Sequence, residues 1–177
     1  VRHIGGGQCR SQASVRGSIY GRFGFSDVLT AFLALDTFVE LYDGGTIRLS
    51  EFVNRKPDKD ILLSVIVRKS QRKFRYESIR QTKTDFPVIA CSVVTGMVQG
   101  KEPRYFSVGA RPMKAALLEK QWEIPSDASE ETIAEYARQA ASEFTYGTNM
   151  RGSAEYRRHL AEVLIRREMS SILAEGK

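Results

Sequence analysis

The opening of the chain constrains it most. Between Ile4 and Asp27, glycine recurs at positions 5, 6, 7, 17, 21 and 24, with Ser11, Ser14, Ser18 and Ser26 filling the gaps. A segment of this make-up offers little apolar surface to a core. It brings backbone N–H groups and short side chains near a polar ligand, because glycine lacks the Cβ that holds a ligand off. An apolar pattern at helical spacing starts directly afterwards with Val28, Leu29, Phe32, Leu33 and Leu35. Ser26 or Asp27 is its natural N-cap. A glycine-rich turn running into a capped helix is how a phosphate- or cofactor-binding loop is laid out in sequence. Composition alone leaves a second reading open, a frayed end that holds nothing.

With 177 residues and 42% hydrophobic content, the chain can bury one good core or two small ones joined closely. No apolar run approaches the roughly 20 residues that span a bilayer. Val1-Arg2-His3-Ile4-Gly5 is neither a signal peptide nor an ordinary initiator, so the chain is expected to begin inside a longer polypeptide. Cys9 and Cys91 are too few for a disulfide framework or a cysteine-ligated metal, which makes a reducing cytoplasm the expected location. A net charge of +6 and a pI near 9.4 permit an acidic partner, whether nucleic acid, anionic cofactor or acidic protein face.

The pattern changes near the middle. Residues 39–42 and 46–49, separated by Asp43-Gly44-Gly45, read as a hairpin with a glycine-permitted turn. The polar, proline-interrupted stretch 54–59 is the best boundary, giving expected units of 1–55 and 60–177. Beyond it, 61–67 is a continuous apolar strand, and Phe74, Tyr76 and Ser78 alternate on one side of the next. Residues 88–98 and 105–108 are further strands, with a turn at Gly100-Lys101. The last third reads as three helices, over 113–121, 129–144 and 153–173. Ser129 caps the second, with Glu130 and Glu131 favouring its dipole and Ile133, Tyr136, Ala137, Ala140 and Phe144 forming its buried stripe. Ser153 caps the third, which is expected to bury Tyr156, Leu160, Val163 and Leu164. Strands followed by helices predict an α+β class, an antiparallel sheet layered with three C-terminal helices.

The segment Gln8-Cys9-Arg10-Ser11-Gln12-Ala13-Ser14-Val15-Arg16-Gly17-Ser18 resembles the I-R-N-x-A-T-x-G-G-N motif of the FAD-binding subunits of molybdenum hydroxylases. That family includes xanthine dehydrogenase and the medium, flavoprotein subunit of aerobic carbon monoxide dehydrogenase. Residues 25–36 are similar to its S-D-L-x-P-x-L-L-A-L-D segment, and 60–66 to the E-I-L-x-x-I strand that opens its C-terminal domain. Residues 151–160, RGSAEYRRHL, with 163–167 behind them, resemble that domain's last helix and are the most specific part of the match.

The resemblance implies the second part of an FAD-binding domain followed by the flavoprotein C-terminal domain. It implies that Ser14 occupies the motif's Thr position, Gly17 its second Gly and Ser18 its Asn. Asp27 stands for the Asp near the ribityl region of the flavin, and Leu62 for a position whose backbone lies against the ring system. Arg16 departs from the motif, standing where the first Gly belongs; it is assigned either to the flavin phosphates or to solvent. Ser11 and Ser18 replace asparagines and shorten the reach. The family's first FAD half-domain, with its own glycine-rich loop, has no counterpart in the sequence. The implied role is an oxidoreductase subunit passing electrons from iron–sulfur clusters through FAD to an acceptor. The implied partners are a small iron–sulfur subunit and a large molybdopterin subunit, with 2Fe-2S clusters and molybdopterin on those chains and a homo-oligomer left open. Two alternatives stand beside it: a docking domain without flavin, and a basic nucleic-acid-binding domain. The latter lacks aromatics interleaved with basic residues and any helix-turn-helix or zinc signature.

Other signals fail. Residues 96–101 are one residue short of a phosphate loop, and Glu102 stands where a magnesium-binding Ser or Thr belongs. Gly5-Gly6-Gly7 lacks the preceding strand and downstream glycine of a dinucleotide fingerprint. His3 and His159 are too sparse for zinc, and His159 reads as a surface or packing residue. The pairs Arg157-Arg158 and Arg166-Arg167 read as a solvated helix face or a contact for an acidic subunit. No Ser, His and acid set supports nucleophilic catalysis.

Overall fold

A computed structural model describes residues 4–96, 104–121, 124–125 and 127–175. The glycine-rich opening is helical rather than a bare loop. It forms α1 (Gly7–Gln12) and α2 (Val15–Tyr20), two short helices, the second capped by Ser14, whose side chain accepts from the Gly17 amide at 3.0 Å. Ile19 anchors α2 in a core, fully buried, so the segment contributes to packing after all. Next, α3 (Asp27–Ala34) is capped by Ser26, which accepts from the Leu29 amide at 3.1 Å; Asp27 is its first helical residue and not its cap.

The expected hairpin forms as β1 (Thr37–Leu41) and β2 (Gly45–Arg48), with Gly45 at φ +64° in the turn. Asp60 holds that turn from outside. Its carboxylate accepts from the amides of Asp43 at 2.9 Å and Gly44 at 2.8 Å, and these bonds keep its pKa below the usual carboxylate range. After α4 (Leu49–Asn54), strand β3 (Leu62–Val67) pairs antiparallel with β1, Val39 opposite Val65, to complete a three-stranded sheet of order β2-β1-β3. The strand expected to open the second region is therefore hydrogen-bonded to the first.

The second sheet has the order β4-β5-β6-β7, every neighbour antiparallel: β4 (Lys73–Ile79), β5 (Ile89–Thr95), β6 (Arg104–Gly109) and β7 (Ala116–Lys120). The expected turn at 100–101 and the loop at 96–101 reach outside the described residues. Strand β7 replaces the helix expected over 113–121. The reason is two-sided cover: Ala116 and Leu118 pack toward one core, Ala115 and Leu117 toward the other, so consecutive apolar residues imitate a helical stripe. Two C-terminal helices, α5 (Glu130–Ser142) and α6 (Ala154–Ala174), thus back this sheet where three were expected.

Those two helices cover one face of the sheet, burying Cys91, Val93, Phe106 and Val108 against Ile133, Ala137, Leu164, Ile165 and Met169. Helix α3 lies on the other face, and the contact is tight. The Ser107 hydroxyl donates to the Thr30 carbonyl at 2.5 Å, and a Cβ on Gly109 would stand 1.9 Å from Thr30 Oγ1. The sheet is thus sandwiched between α3 and the α5/α6 pair, an α+β arrangement. Ser129 and Ser153 cap α5 and α6 as the spacing predicts. Two burial expectations on α6 fail. Tyr156 is 48% exposed, whereas Arg157, read as solvated, is buried. Its guanidinium donates to the carbonyls of Val88 and Gly147 and to Asn149 Oδ1, so a buried charge is fully employed in tying loops together.

Candidate functional site

Helix α2, the turn into α3 and the connection from β4 to β5 enclose a cleft of about 560 Å³. Ser14, Gly17 and Ser18 form one wall, Phe25 and Asp27 the floor, and Arg80, Asp85 and Phe86 the opposite wall. The side chains on the α2 wall are small, so a ligand can approach the backbone there; a Cβ on Gly17 would already meet Ser14 Oγ at 3.1 Å. The α2 wall is locked to the floor because the Ser26 hydroxyl donates to the Ser18 carbonyl at 2.9 Å and Ser18 Oγ donates to the Ser14 carbonyl at 3.0 Å.

Asp27 is the charged centre of this arrangement. It is only 5% exposed, yet its Oδ1 receives both the Tyr76 hydroxyl and Arg80 Nη2. A carboxylate this buried needs such partners. Burial, and then the Asp27 charge beside it, push the Tyr76 phenol well above its ordinary range, so it stays protonated and donating. Arg80 also donates to the Asp85 carbonyl at 2.9 Å, which ties the far wall to the floor. The Asp85 side chain accepts from Arg151 at 3.0 Å and from the Phe86 amide at 2.7 Å; the Arg151 bond foremost lowers its pKa. A second trough of about 540 Å³ adjoins across Asp27 and Arg80, lined by Val28, Phe32, Phe74 and Tyr76 and also by Glu77 and Lys83.

Four of the residues singled out in the sequence, Ser14, Gly17, Ser18 and Asp27, thus line a single cleft. The other two do not. Arg16 donates to the Leu63 carbonyl at 3.2 Å, and Leu62 is buried in the core beside Leu41 and Val39. Tyr76, Arg80 and Phe86 were missed. Parity along β4 gave a partial signal, since Phe74, Tyr76 and Ser78 share a face and Arg80 continues it, but nothing local says that α3 lies opposite. His159 is exposed. Among the described residues, no cluster of His, Cys, Asp or Glu is placed to hold a metal ion, and no helix is long and apolar enough to cross a membrane.

A flavin's demands can be set against this geometry. The volume falls in the range of small-molecule pockets, roughly 300–1,000 Å³. Small polar side chains suit a phosphate or polyol arm, and Asp27 keeps Oδ2 clear of the bonds made to Oδ1. The rings of Phe32, Phe74 and Tyr76 in the neighbouring trough offer a ring system a surface to lie on. The residues fit the group.

An antiparallel sheet covered by two C-terminal helices on one face and by α3 on the other, with a cleft on the α3 side, is an α+β domain. Residues 74–172 match the family model described as the CO dehydrogenase flavoprotein C-terminal domain, and the chain belongs to that family. Solved structures agree in fold. Quinoline 2-oxidoreductase from Pseudomonas putida 86 superposes with a TM-score of 0.79 at 15% identity. Carbon monoxide dehydrogenase from Hydrogenophaga pseudoflava gives 0.79 at 16%, and that from Oligotropha carboxidovorans 0.77 at 17%. Each match covers 98% of this chain and 65% of the other, so the chain spans about two thirds of the length of the structures it resembles. Identities this low speak for the fold alone. No curated protein matches the sequence.

Proposed function

We propose that the chain supplies one side of the FAD site in the flavoprotein subunit of a molybdenum hydroxylase-like oxidoreductase. The observation that carries this reading is the convergence of Ser14, Gly17, Ser18 and Asp27 on one cleft, beside a trough lined by Phe32, Phe74 and Tyr76. When bound, FAD supplies the capacity to take electrons singly and release them as a pair. The chain's own residues bind and orient. The α2 wall admits the polar arm, Asp27 accepts a hydroxyl through Oδ2, and Arg80 and Tyr76 keep its carboxylate fixed by their bonds to Oδ1. Arg16 and Leu62, which line neither the cleft nor the trough, enter the proposal only as positions the resemblance assigns to the flavin. The division into a flavin-domain part at 1–55 and a C-terminal domain at 60–177 belongs to it too, with β3 joining the two. In the assembled enzyme, electrons would arrive from an iron–sulfur subunit served by a molybdopterin subunit and leave to an acceptor, in the cytoplasm.

Titration with FAD, followed by quenching of flavin fluorescence, tests the reading. Binding on the order of micromolar or weaker is expected, because the chain is proposed to supply one side of the site only. Asp27→Asn should remove it while His159→Ala keeps it. Equal flavin binding by both variants would refute the site, and binding far tighter than micromolar would refute the view that it is shared with another segment.

A further inference from the structure

A separate cleft of about 370 Å³ opens on the other side of the aromatic cluster, between the 22–25 turn, Phe86, the 110–114 loop and the 149–151 loop. Its wall is three phenylalanines in contact. Phe23 and Phe25 are stacked with centroids 5.2 Å apart, and Phe25 meets Phe86 at 4.2 Å. Phe25 and Phe86 remain 41% and 48% exposed, so part of each ring is open to solvent beside a cavity. Clustered exposed apolar surface of this kind marks an interaction site more often than isolated rings do.

The charged side chains that line it are cationic. Lys114 and Arg151 line the cleft, and no carboxylate does. Lys114 Nζ is exposed and donates to a single acceptor, the Val53 carbonyl at 3.1 Å. Arg151 lies over the Phe86 ring at 5.5 Å, with one donor committed to Asp85. Arg22 also borders the cleft, but its guanidinium turns inward to the Arg55 carbonyl and the Phe52 ring. It contributes wall, not charge. The backbone is strained at the same place: Arg22 and Ala110, both with side chains, hold φ of +50° and +56°. The Ala110 amide bonds the Gly24 carbonyl at 2.6 Å, and a Cβ on Gly24 would stand 2.4 Å from the Met113 carbonyl oxygen. Left-handed conformations outside glycine persist where surroundings force them, and they concentrate at ligand sites.

We infer that this cleft binds a mononucleotide, its base stacked on Phe25 and Phe86 and its phosphate between Lys114 and Arg151. Aromatic rings accept any base, and the Lys114 ammonium together with the Arg151 donors left over from Asp85 supplies charge-assisted bonds for the phosphate. The volume lies at the low end for ligand pockets, which favours a mononucleotide over a dinucleotide. The site shares Phe23, Phe25 and Phe86 with the flavin cleft, whereas Lys114 and Arg151 line this cleft and not that one.

Calorimetric titration of the full chain with AMP tests this, with inorganic phosphate, Phe86→Leu, Lys114→Gln and Asp27→Asn as the further arms. Saturable AMP binding is expected, weakened at least tenfold by Phe86→Leu and several-fold by Lys114→Gln, and falling with added salt. Asp27→Asn should leave AMP binding unchanged. Thermal midpoints confirm that each variant is folded; Phe86 lines both clefts, so Lys114→Gln, whose position does not line the flavin cleft, decides between them. The inference is overturned if folded wild-type chain shows no saturable AMP binding or if phosphate alone binds as well as AMP. It is equally overturned if neither cleft variant weakens AMP binding, or if Asp27→Asn abolishes it.

Discussion

Replacing Glu168 should stabilise this protein, and by more as the pH rises. Glu168 lies on α6 against the sheet, only 1% exposed, and neither carboxyl oxygen has a hydrogen-bond partner. Burial foremost, and then the charge of Glu77, raise its pKa well above the ordinary value; the Glu77 backbone offsets a little of this without reaching bonding geometry. The folded chain therefore holds a proton that the unfolded chain releases near its usual pKa of about 4.3. A raised acid contributes its full stability below the unfolded pKa and loses it as pH climbs toward the folded pKa. Within that window the loss is about 1.4 kcal/mol per pH unit.

Glu168→Gln keeps the shape and cannot ionise. Its stability relative to wild type should be near zero in acid, then widen by close to 1.4 kcal/mol between about pH 5 and pH 6. Glu168→Met also removes the unsatisfied polar atoms and should add a further gain of about 1–3 kcal/mol at every pH. Urea unfolding at several pH values, read by far-UV circular dichroism, measures both. A difference between wild type and Glu168→Gln that does not vary with pH would refute the reasoning. So would strong destabilisation by Gln, since it would mean that the carboxylate is ionised and paired.

Gly109→Ala should cost about 1–3 kcal/mol through the clash with Thr30 Oγ1, a fall of several degrees in thermal midpoint, and Thr30→Ala should restore much of it in the double variant. Gly17→Val has only a Ser14 hydroxyl to displace, so it should lower the midpoint less than Gly109→Ala while removing flavin binding in titration. Arg80→Ala leaves the buried Asp27 carboxylate without its cation and should destabilise by about 3–5 kcal/mol in chemical unfolding, whereas Asp27→Asn should cost less because Arg80 keeps the Asp85 carbonyl and the Ser78 hydroxyl as acceptors. Arg157→Met strips donors from Val88, Gly147 and Asn149 and should loosen the 147–152 loop, seen as faster amide exchange there.

Local signals in the sequence determined a good deal. Ser26, Ser129 and Ser153 cap the helices that follow them, and Asp43-Gly44-Gly45 turns the hairpin, because each depends on neighbours a few residues away. The resemblance in residues 8–36 and 151–167 identified the family and brought Ser14, Gly17, Ser18 and Asp27 forward together. What lies far apart in the chain was decided by the tertiary structure. Residues 116–120 became a strand because cores press on both their faces, and β3 joined the first sheet because β1 offered it an edge. Arg157 and Glu168 went inside although their charge argues for solvent; the first found acceptors on loops brought beneath α6, and the second is kept neutral by burial. Asp27 acquired Tyr76 and Arg80 from residues some fifty positions away. Periodicity records how one element meets its surroundings, but the identity of those surroundings is fixed only when the layers pack.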